Sequence, residues 1–279
     1  TPEEKHVGRR TWLVSAVSAM AATASGLIAP SILRAGEQDQ ADPTRVPGHI
    51  PSPYGSRAST ETAQRLTTAT HSLTPHQVLH GIITPSALHF ERHHNSVPTI
   101  DPDRHRLLIH GLVERPLTFS MNDLMRFPSV TRTLFIECSG NSGKEWKGPM
   151  GKTVQDTHGL MSTSEWTGVP LATVLAEAGT KPEAFWVLAE GSDAAAMTRS
   201  LPLAEVLKDA LLCYAQNGEA LRPEQGYPLR LVIPGWEGNT CIKWLRRLKL
   251  GPAPFMTREE TSRYTDLMPD GTARQFTFV

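Results

Sequence analysis

Short segments typical of strands alternate irregularly with short segments typical of helices, and this order constrains the fold more than any other feature. The strand-like segments are 105–113, 131–138, 184–191, 211–221, 227–235 and 241–250, and the helix-like segments are 120–127, 170–179 and 201–210. A doubly wound parallel sheet would show a regular alternation of strand and helix instead. The sequence therefore predicts an α+β fold of mixed sheets and short helices.

Capping and turn residues mark the ends of several of these segments. Ser120 is a favoured N-cap residue for the helix that follows it. Pro170 suits the first turn of the next helix, and Gly179 suits its C-terminal end. Asn217-Gly218 is typical of a two-residue hairpin turn, so we expect the strand before it to turn back on itself.

The N-terminal residues resemble an export signal. Arg9 and Arg10 precede an apolar run rich in Ala and Ser, which Gly26 and Pro30 interrupt. The pattern is typical of a twin-arginine signal, and a basic-then-apolar start without an export role is the alternative. The run is too polar and too broken for a stable membrane span. We predict a signal segment at 1–35 and a periplasmic protein.

Three further regions follow from the distribution of polar and periodic residues. Residues 36–85 are polar and rich in Pro, Ser and Thr, which predicts an extended arm with one short helix near 59–68. Residues 86–255 carry the strand and helix signals of a folded domain. Residues 256–279 are interpreted as a tail.

Charge and cysteine usage exclude several classes of protein. The 28 basic and 28 acidic residues give zero formal net charge, so no basic field is available to bind nucleic acid. Cys138, Cys213 and Cys241 form no CxxC pair, which argues against a disulfide framework and a zinc ribbon. The segment HFERHH (89–94) could suit a metal, although surface histidine clusters are common.

Cys138 has a position that suits a functional thiol. It ends the apolar segment LFIEC and precedes a turn in which Gly140 and Asn141 tolerate positive φ. Rigid strands often position active groups on the loops that follow them. The alternative is a small buried thiol in the core.

Other candidate residues have two interpretations each. Arg230 and Lys243 lie within apolar strand-like segments, where a cation needs a partner such as an anionic ligand or reaches solvent from an edge strand. Tyr214 lies on a predicted strand and would by default pack its ring in the core. Arg92 lies in a polar loop, where a surface charge is the simpler interpretation.

The order of these segments resembles the molybdenum domain of the sulfite oxidase family. The resemblance runs from Phe90 to Leu250 through HFERHHNSVP, ECSGN, GLMSTSEWTGVP, AEGSD, SLPL, LLCYAQNGEAL, GYPLRLVIPG and CIKWLRRLKL. It implies an oxidoreductase with one molybdenum–molybdopterin cofactor per chain.

The resemblance also implies roles for individual residues. Cys138 matches the thiolate that binds molybdenum, a soft donor that suits a sulfur-ligated metal. Arg92 and Tyr214 match residues beside the metal and are the other predicted catalytic groups. The implied cofactor contacts are Phe90, Arg92, His93, His94, Asp193, Gln225, Arg230, Cys241, Ile242 and Lys243.

Departures from the family pattern indicate the substrate. Sulfite-oxidising members carry an Arg shortly after the Cys, whereas residues 139–143 contain no cation. Asp156 aligns with a position that is usually Trp, and Gln225 and Cys241 stand where His is usual. A lost cation and an added carboxylate would weaken the binding of a dianion by roughly 1.5–3 kcal/mol per contact. These changes favour a larger, less charged sulfur substrate.

Within the family, the chain resembles the molybdenum subunits of sulfane dehydrogenases. That resemblance implies oxidation of sulfane sulfur on a carrier protein by oxygen-atom transfer, with electrons passed to a c-type cytochrome subunit. The sequence has no CxxCH motif, so we expect no haem on this chain. Full-length relatives form homodimers through an immunoglobulin-like domain, toward which the tail at 256–279 would lead.

Three other functions are compatible with the sequence. The chain could be a sulfite dehydrogenase with an altered pocket, or a molybdoenzyme that reduces methionine sulfoxide. It could also be a binding scaffold that keeps the fold without the cofactor. Cys138, Arg92, Tyr214 and Arg230 together argue against the scaffold.

Overall fold

The structure, a computed structural model, describes residues 43–143, 145, 148 and 153–275. The chain divides into two units between Ala58 and Ser59. The described part of the first unit contains a 3-10 turn at Pro43–Arg45. The predicted signal segment at 1–35 lies outside the described residues and stays a prediction.

Among the described residues, the strands and α-helices lie in the second unit. The helices are α1 (Met121–Leu124), α2 (Val154–His158), α3 (Leu171–Ala178), α4 (Leu203–Asp209) and α5 (Arg258–Ser262). The strands are β1 (Leu66–Thr67), β2 (His71–Leu73), β3 (Glu91–Arg92), β4 (Leu107–Gly111), β5 (Leu117–Phe119), β6 (Val130–Glu137), β7 (Met161–Pro170), β8 (Trp186–Gly191), β9 (Thr198–Pro202), β10 (Leu211–Gln216), β11 (Glu219–Ala220), β12 (Arg230–Val232), β13 (Leu245–Gly251), β14 (Thr265–Leu267) and β15 (Ala273–Gln275). Short helices among mixed sheets confirm the predicted α+β class.

Two five-stranded sheets form the framework of this unit. One has the order β11-β10-β7-β6, with β12 paired to β10, and its ladders are antiparallel. The other has the order β5-β4-β13-β8-β9, in which β4 and β13 run parallel. A small sheet of β1, β2 and β3 and a hairpin of β14 and β15 complete the set. Non-local pairing therefore connects segments more than 100 residues apart, as between β4 and β13.

The hydrophobic core draws on both large sheets and on α3. Leu107 and Leu248 are fully buried on one sheet, and Trp166 and Leu212 on the other. Helix α3 buries Leu171, Val174, Leu175 and Ala178, which share one helix face because they are three or four residues apart. Each fully buried Leu or Val side chain stabilises the fold by roughly 1.5–3 kcal/mol.

The capping and turn predictions are confirmed. Ser120 and Asp123 form a reciprocal capping box at α1. Helix α3 follows Pro170 and ends at Gly179, whose φ of +71° favours glycine. In the hairpin turn, Asn217 and Gly218 have φ values of +50° and +76°.

Strand β7 was not predicted, because its buried face is largely polar. Ser162, Ser164 and Trp166 point inward, so the strand shows no apolar alternation. The two serines are satisfied inside the protein: Ser164 accepts a hydrogen bond from Gln216 at 2.8 Å, and Ser162 lies 2.6 Å from the Thr74 hydroxyl. Polar pairs of this kind hide a buried strand from hydrophobic patterning.

Two secondary-structure predictions were wrong. No helix forms near 59–68, where β1 pairs with β2 instead. Residues 241–244 precede β13 and form a loop, in which Trp244 has a φ of +53°. Lys243 therefore lies on a loop and not on a strand.

The second half of the predicted arm is part of the folded unit. Leu73, Thr74 and Thr84 are buried, and the Thr84 amide donates to the Thr163 carbonyl on β7 at 2.8 Å. The polar composition misled the prediction because these side chains find partners inside the protein. Likewise, the predicted tail contains α5 and the buried carboxylates of Glu259 and Glu260.

The described residues contain no helix that is both long enough and apolar enough to cross a membrane.

Candidate functional site

A cavity in the second unit brings together residues from segments that are far apart in the sequence. Its walls come from β3 and the residues on either side of it, the residue after β6, and the loop after β8. The 3-10 turn at Pro223–Gln225, β12, the loop before β13 and Tyr264, which precedes β14, complete them. The lining residues are Phe90, Glu91, Arg92, His93, His94, Cys138, Asp193, Met197, Gln225, Arg230, Gly238, Asn239, Cys241, Ile242, Lys243, Trp244 and Tyr264. Every predicted site residue except Tyr214 is among them.

Strand β6 carries Cys138 to the cavity wall, and a hydrogen-bonded turn holds it there. The Cys138 amide donates to the Leu160 carbonyl at 2.9 Å, and its carbonyl accepts from the Asn141 amide at 2.8 Å. The Asn141 side chain also accepts from the Leu160 amide. Burial raises the pKa of the Cys138 thiol, and the Gly140 amide and the Arg92 charge oppose that rise. A cation or metal at this sulfur would favour the thiolate.

Arg230 is a buried cation whose hydrogen-bonding capacity is only partly used. Its Nη1 donates to the backbone oxygen of Gln225 at 3.2 Å and to the side-chain oxygen at 3.0 Å. Its guanidinium lies 5.1 Å from the ring centre of Trp166. Its Nε is buried and finds no hydrogen-bond partner among the described residues. Gln225 is itself fixed by donating to the Phe90 carbonyl at 2.8 Å.

Lys243 is a second cation on the cavity wall and is partly buried. Its Nζ lies 2.8 Å from His93 Nδ1 and donates to the carbonyls of Arg92 at 3.2 Å and Glu224 at 3.1 Å. Burial lowers the pKa of Lys243 well below its usual value, and the charge of Arg230 lowers it further. Hydrogen bonds hold this amine, and it forms no ion pair with a carboxylate of the described residues.

The buried Arg230 and the partly buried Lys243 give the cavity the chemistry of an anion site. Among the described residues, neither Arg230 nor Lys243 forms an ion pair with a carboxylate. A buried charge without a counter-ion is costly, so a bound anion such as a phosphate would stabilise both. The sulfur of Cys138 supplies a soft donor on the same cavity. These residues fit a phosphorylated, metal-bearing cofactor.

The histidine-rich segment forms an internal network. Glu91 Oε2 lies 2.6 Å from His93 Nε2, and Glu91 Oε1 lies 2.6 Å from Arg65 Nη1. The hydrogen bond from His93 lowers the pKa of Glu91 to about 2. Burial lowers the pKa of His93 despite this contact. In the described part of the chain, no three His, Cys, Asp or Glu side chains are grouped to hold a metal ion.

The remaining predicted cofactor residues lie on the same wall with defined contacts. Asp193 is buried, and its carboxylate accepts from the Met197 amide at 3.0 Å. Cys241 is also buried, and its sulfur accepts from the Ile233 amide at 3.3 Å. Asn239, which was not predicted, donates to the Ser139 hydroxyl next to Cys138 at 3.2 Å.

The cavity is lined by Tyr264 and not by the predicted Tyr214. Tyr214 lies on β10 at an irregularity between Cys213 and Ala215, packs against the core, and does not line the cavity. Tyr264 does line it, with its hydroxyl 3.5 Å from His94 Nε2. Sequence reasoning missed Tyr264 because the recognised segments ended at Leu250, although it is one of only four tyrosines in the chain.

Asp156 also lies away from the cavity. The Thr153 side chain accepts a hydrogen bond from the Asp156 amide at 3.2 Å, which caps the start of α2. Asp156 is not among the cavity-lining residues. The carboxylate that was expected to repel a dianion instead accepts a hydrogen bond from the Thr153 hydroxyl at 3.0 Å in the first turn of α2, and only the missing cation after Cys138 remains from that argument.

Comparisons with known proteins agree with this site. Residues 94–258 match the family model described as the oxidoreductase molybdopterin binding domain. The sulfane dehydrogenase SoxCD from Paracoccus pantotrophus is a similar solved structure, with a TM-score of 0.78 and 44% sequence identity. The match covers 86% of this chain and 67% of that chain.

Nitrate reductases are similar over the same region. The NADH nitrate reductase of Ulva prolifera is 37% identical over 185 residues, which is 60% of this chain and 21% of that protein. The NADPH nitrate reductase of Phytophthora infestans is 38% identical over 178 residues, which is 60% of this chain and 20% of that protein. The chain thus spans about a fifth of the length of these relatives.

The family match covers the segment that builds most of the cavity, and the similar solved structure extends the agreement to the fold. The chain belongs to the sulfite oxidase family and carries an oxidoreductase molybdopterin-binding domain.

Proposed function

We propose that this chain is the molybdenum subunit of a periplasmic sulfane dehydrogenase. It oxidises sulfane sulfur that is attached to a carrier protein and passes the electrons to a c-type cytochrome partner. The observation that carries the proposal is the 44% identity to a sulfane dehydrogenase over 86% of this chain. The curated nitrate reductases are less similar, at 33–38% identity over shorter segments, and make nitrate the substrate to exclude.

The described residues have defined tasks in this proposal. Arg230 and Lys243 would hold the phosphate end of molybdopterin, and the Cys138 thiolate would bind its metal. When bound, the cofactor supplies a two-electron acceptor and the transfer of a water-derived oxygen atom to sulfur. Arg92, on the same wall as Cys138, would stabilise negative charge that develops on the oxidised sulfur. The Tyr264 hydroxyl, beside His94, would hold a proton at the cavity wall.

The electrostatics around Cys138 favour a substrate with low charge. Residues 139–143, which follow the thiol, contain no cation, so Arg92 faces the cavity without a second arginine from that turn. A missing charge-assisted hydrogen bond to an anion costs roughly 1.5–3 kcal/mol, or about a tenfold to hundredfold loss of affinity. A sulfane on a carrier cysteine does not depend on that contact as sulfite does.

The test is a substrate comparison with the full protein produced in a host that makes molybdopterin. We expect close to one molybdenum per chain and reduction of a c-type cytochrome by a carrier loaded with sulfane sulfur. Cys138→Ala should remove turnover and leave the far-ultraviolet circular dichroism unchanged. Sulfite, nitrate and methionine sulfoxide are the comparison substrates. A catalytic efficiency for any of them above that for the loaded carrier would contradict the proposal.

The cellular location rests on the N-terminal arginine pair and has its own test. Arg9→Lys combined with Arg10→Lys should leave the protein in the cytoplasmic fraction, because twin-arginine export requires the guanidinium pair. Export of the doubly substituted protein at an unchanged level would contradict a periplasmic role.

The proposed assembly is a homodimer of this chain together with the cytochrome subunit. The homodimer should sediment at twice the mass of one chain.

A further inference from the structure

Tyr264 reaches the cavity from a segment that a buried ion pair holds in place. Glu260, on α5, and Arg199, on β9, both have fully buried side chains and join through Arg199 Nε and Glu260 Oε1 at 2.7 Å. The same carboxylate oxygen accepts from the Ser200 amide at 2.9 Å. Next to it, Glu259 accepts from the Thr198 hydroxyl at 3.2 Å. Two consecutive carboxylates thus fasten α5 to three consecutive residues of β9.

The backbone transmits this anchor to the tyrosine. The Tyr264 amide donates to the Glu259 carbonyl at 3.1 Å, and the Thr265 hydroxyl donates to the Glu260 carbonyl. Both neighbours of the Tyr264 side chain along the segment are therefore tied to α5. The position of the ring depends on how firmly α5 is held.

Arg199 also contacts the ring directly. Its guanidinium carbon lies 4.6 Å from the centre of the Tyr264 ring. The edge of a guanidinium can bind a carboxylate while its face covers an aromatic ring, and an ammonium group cannot do both in one geometry. Replacing a buried ion pair by well-packed apolar side chains often leaves stability unchanged or raises it. The Arg199–Glu260 pair is therefore better explained by the conformation that it holds than by the stability that it adds.

We propose that Arg199 is a positioning residue of the active site: clamped by Glu260, its guanidinium fixes the Tyr264 ring at the cavity wall. The inference rests on the proposed function in giving Tyr264 a place beside the reacting atoms. Burial raises the pKa of Tyr264, as does the nearby Cys138, and the Arg199 charge opposes the rise. Arg199 therefore holds the ring at the cavity wall by direct contact.

The kinetic test is a double-mutant cycle on the molybdenum-loaded full protein. Arg199→Met should lower kcat for the sulfane-loaded carrier about tenfold to a hundredfold and leave KM within about twofold, because a misplaced group slows the reaction and leaves the carrier contact intact. Arg199→Lys should not restore kcat. Adding Arg199→Met to Tyr264→Phe should cause no further loss, since Arg199 acts through Tyr264. Multiplying losses would overturn the inference.

A spectroscopic readout separates this inference from the proposed function. With 3-fluorotyrosine incorporated at all four tyrosines, the fluorine resonance that disappears in Tyr264→Phe is assigned to Tyr264. It should shift in Arg199→Met and stay in place in the matched control Arg246→Met, which breaks the ion pair between the exposed Arg246 and the buried Glu190. An unmoved resonance overturns the inference, whatever the substrate. If the unsubstituted enzyme does not oxidise the carrier but the resonance shifts in Arg199→Met, the proposed function is rejected. The inference that Arg199 positions the Tyr264 ring is then retained.

If Arg199→Met does not fold, the contact between Arg199 and the Tyr264 ring is tested by changing Tyr264 and observing Arg199. In Tyr264→Leu the Nε–H proton of Arg199 should move downfield, because the shielding ring above the guanidinium is gone. An unchanged proton resonance in the folded variant overturns the inference.

Discussion

Two cations that form no ion pair with a carboxylate of the described residues dominate the site at the scale of single residues. Arg230 is buried and Lys243 is partly buried, and their hydrogen bonds go mainly to carbonyl and amide oxygens. Burial of a charge costs several kcal/mol unless another charge compensates it. The free protein therefore carries an electrostatic cost that an anionic cofactor would remove.

The first prediction concerns Arg230. Arg230→Met removes a charge-assisted contact worth roughly 1.5–3 kcal/mol, so the protein should hold molybdopterin about tenfold to a hundredfold more weakly. The measurement is molybdenum and pterin per chain after gel filtration, with Arg246→Met as the control. Without cofactor, Arg230→Met should unfold at the same temperature as the unsubstituted protein or higher, since an unpaired buried charge is gone. Full retention of the cofactor by Arg230→Met would contradict an anion-binding role.

The second prediction concerns pH. Burial lowers the pKa of His89 from 6.5 to about 3, so the folded protein binds fewer protons than the unfolded chain between these values. The free energy of unfolding should therefore fall as pH decreases from 6.5, by at most about 1.4 kcal/mol per pH unit for this residue. Burial lowers the pKa values of His93, His94, His105 and His110 in the same direction.

The measurement is urea unfolding across this pH range. His89→Phe should reduce the slope of stability against pH below 6.5. Glu91 provides the comparison, because its lowered pKa of about 2 contributes stability that is lost only as pH falls below 4.5. Glu91→Gln should accordingly change the slope only below that value. An unaltered slope in His89→Phe would show that the ring is protonated in the folded state.

At the scale of elements, β7 joins the two sides of its sheet. It pairs with the whole of β6 through residues 161–168 and with β10 on the other side. Gly168 lies opposite Cys213 in that second ladder, next to the irregularity in β10. An added Cβ at Gly168 would lie 2.6 Å from the Cys213 Cα and still nearer the Leu212 carbonyl. The close approach of two backbones therefore requires glycine here.

The third prediction follows from this contact. Gly168→Ala should lower the free energy of unfolding by about 1–3 kcal/mol, because a rigid backbone must move to admit the methyl group. Gly55→Ala is the control: an added Cβ there has nothing within 4 Å, and the change should stay within about 0.5 kcal/mol. Chemical denaturation measures both. Equal stability of the two variants would mean that the backbones of β7 and β10 move apart at Gly168 without a cost in free energy.

At the scale of the whole molecule, a segment near the C-terminus completes a site that begins near residue 90. Tyr264 and α5 lie beyond the predicted domain boundary at 255, and the family model also ends at 258. The Arg199–Glu260 pair is nevertheless fully buried. The folded domain and its active-site wall therefore include residues that composition assigns to a tail.

The fourth prediction tests this dependence. Glu260→Gln removes the carboxylate that neutralises the buried Arg199 charge, which should cost about 3–5 kcal/mol of unfolding free energy. Glu205→Gln is the matched control, because it breaks an exposed pair with Lys208 and should change stability by less than about 1 kcal/mol. Urea denaturation compares the two. A similar small loss in both variants would mean that solvent reaches the buried pair.

The sequence by itself determined the α+β class, the ends of α1 and α3, the Asn217-Gly218 turn and the family. These features depend on local backbone chemistry and on the order of short segments, both of which are written along the chain. Eleven of the twelve predicted site residues line the cavity for the same reason: the resemblance covered the segments that carry them.

Only the tertiary structure decided which tyrosine faces the cavity, that β7 is a strand, and that Asp156 lies away from the cavity. The tyrosine and the strand depend on partners distant in the sequence, such as Ser164 against β10 or Tyr264 beneath Arg199. Buried polar groups are stable only when paired, and the pairing partner lies outside any local window of sequence. Hydrophobic patterning therefore does not detect β7, whose buried face carries serines, or the pairing of Glu260 with Arg199.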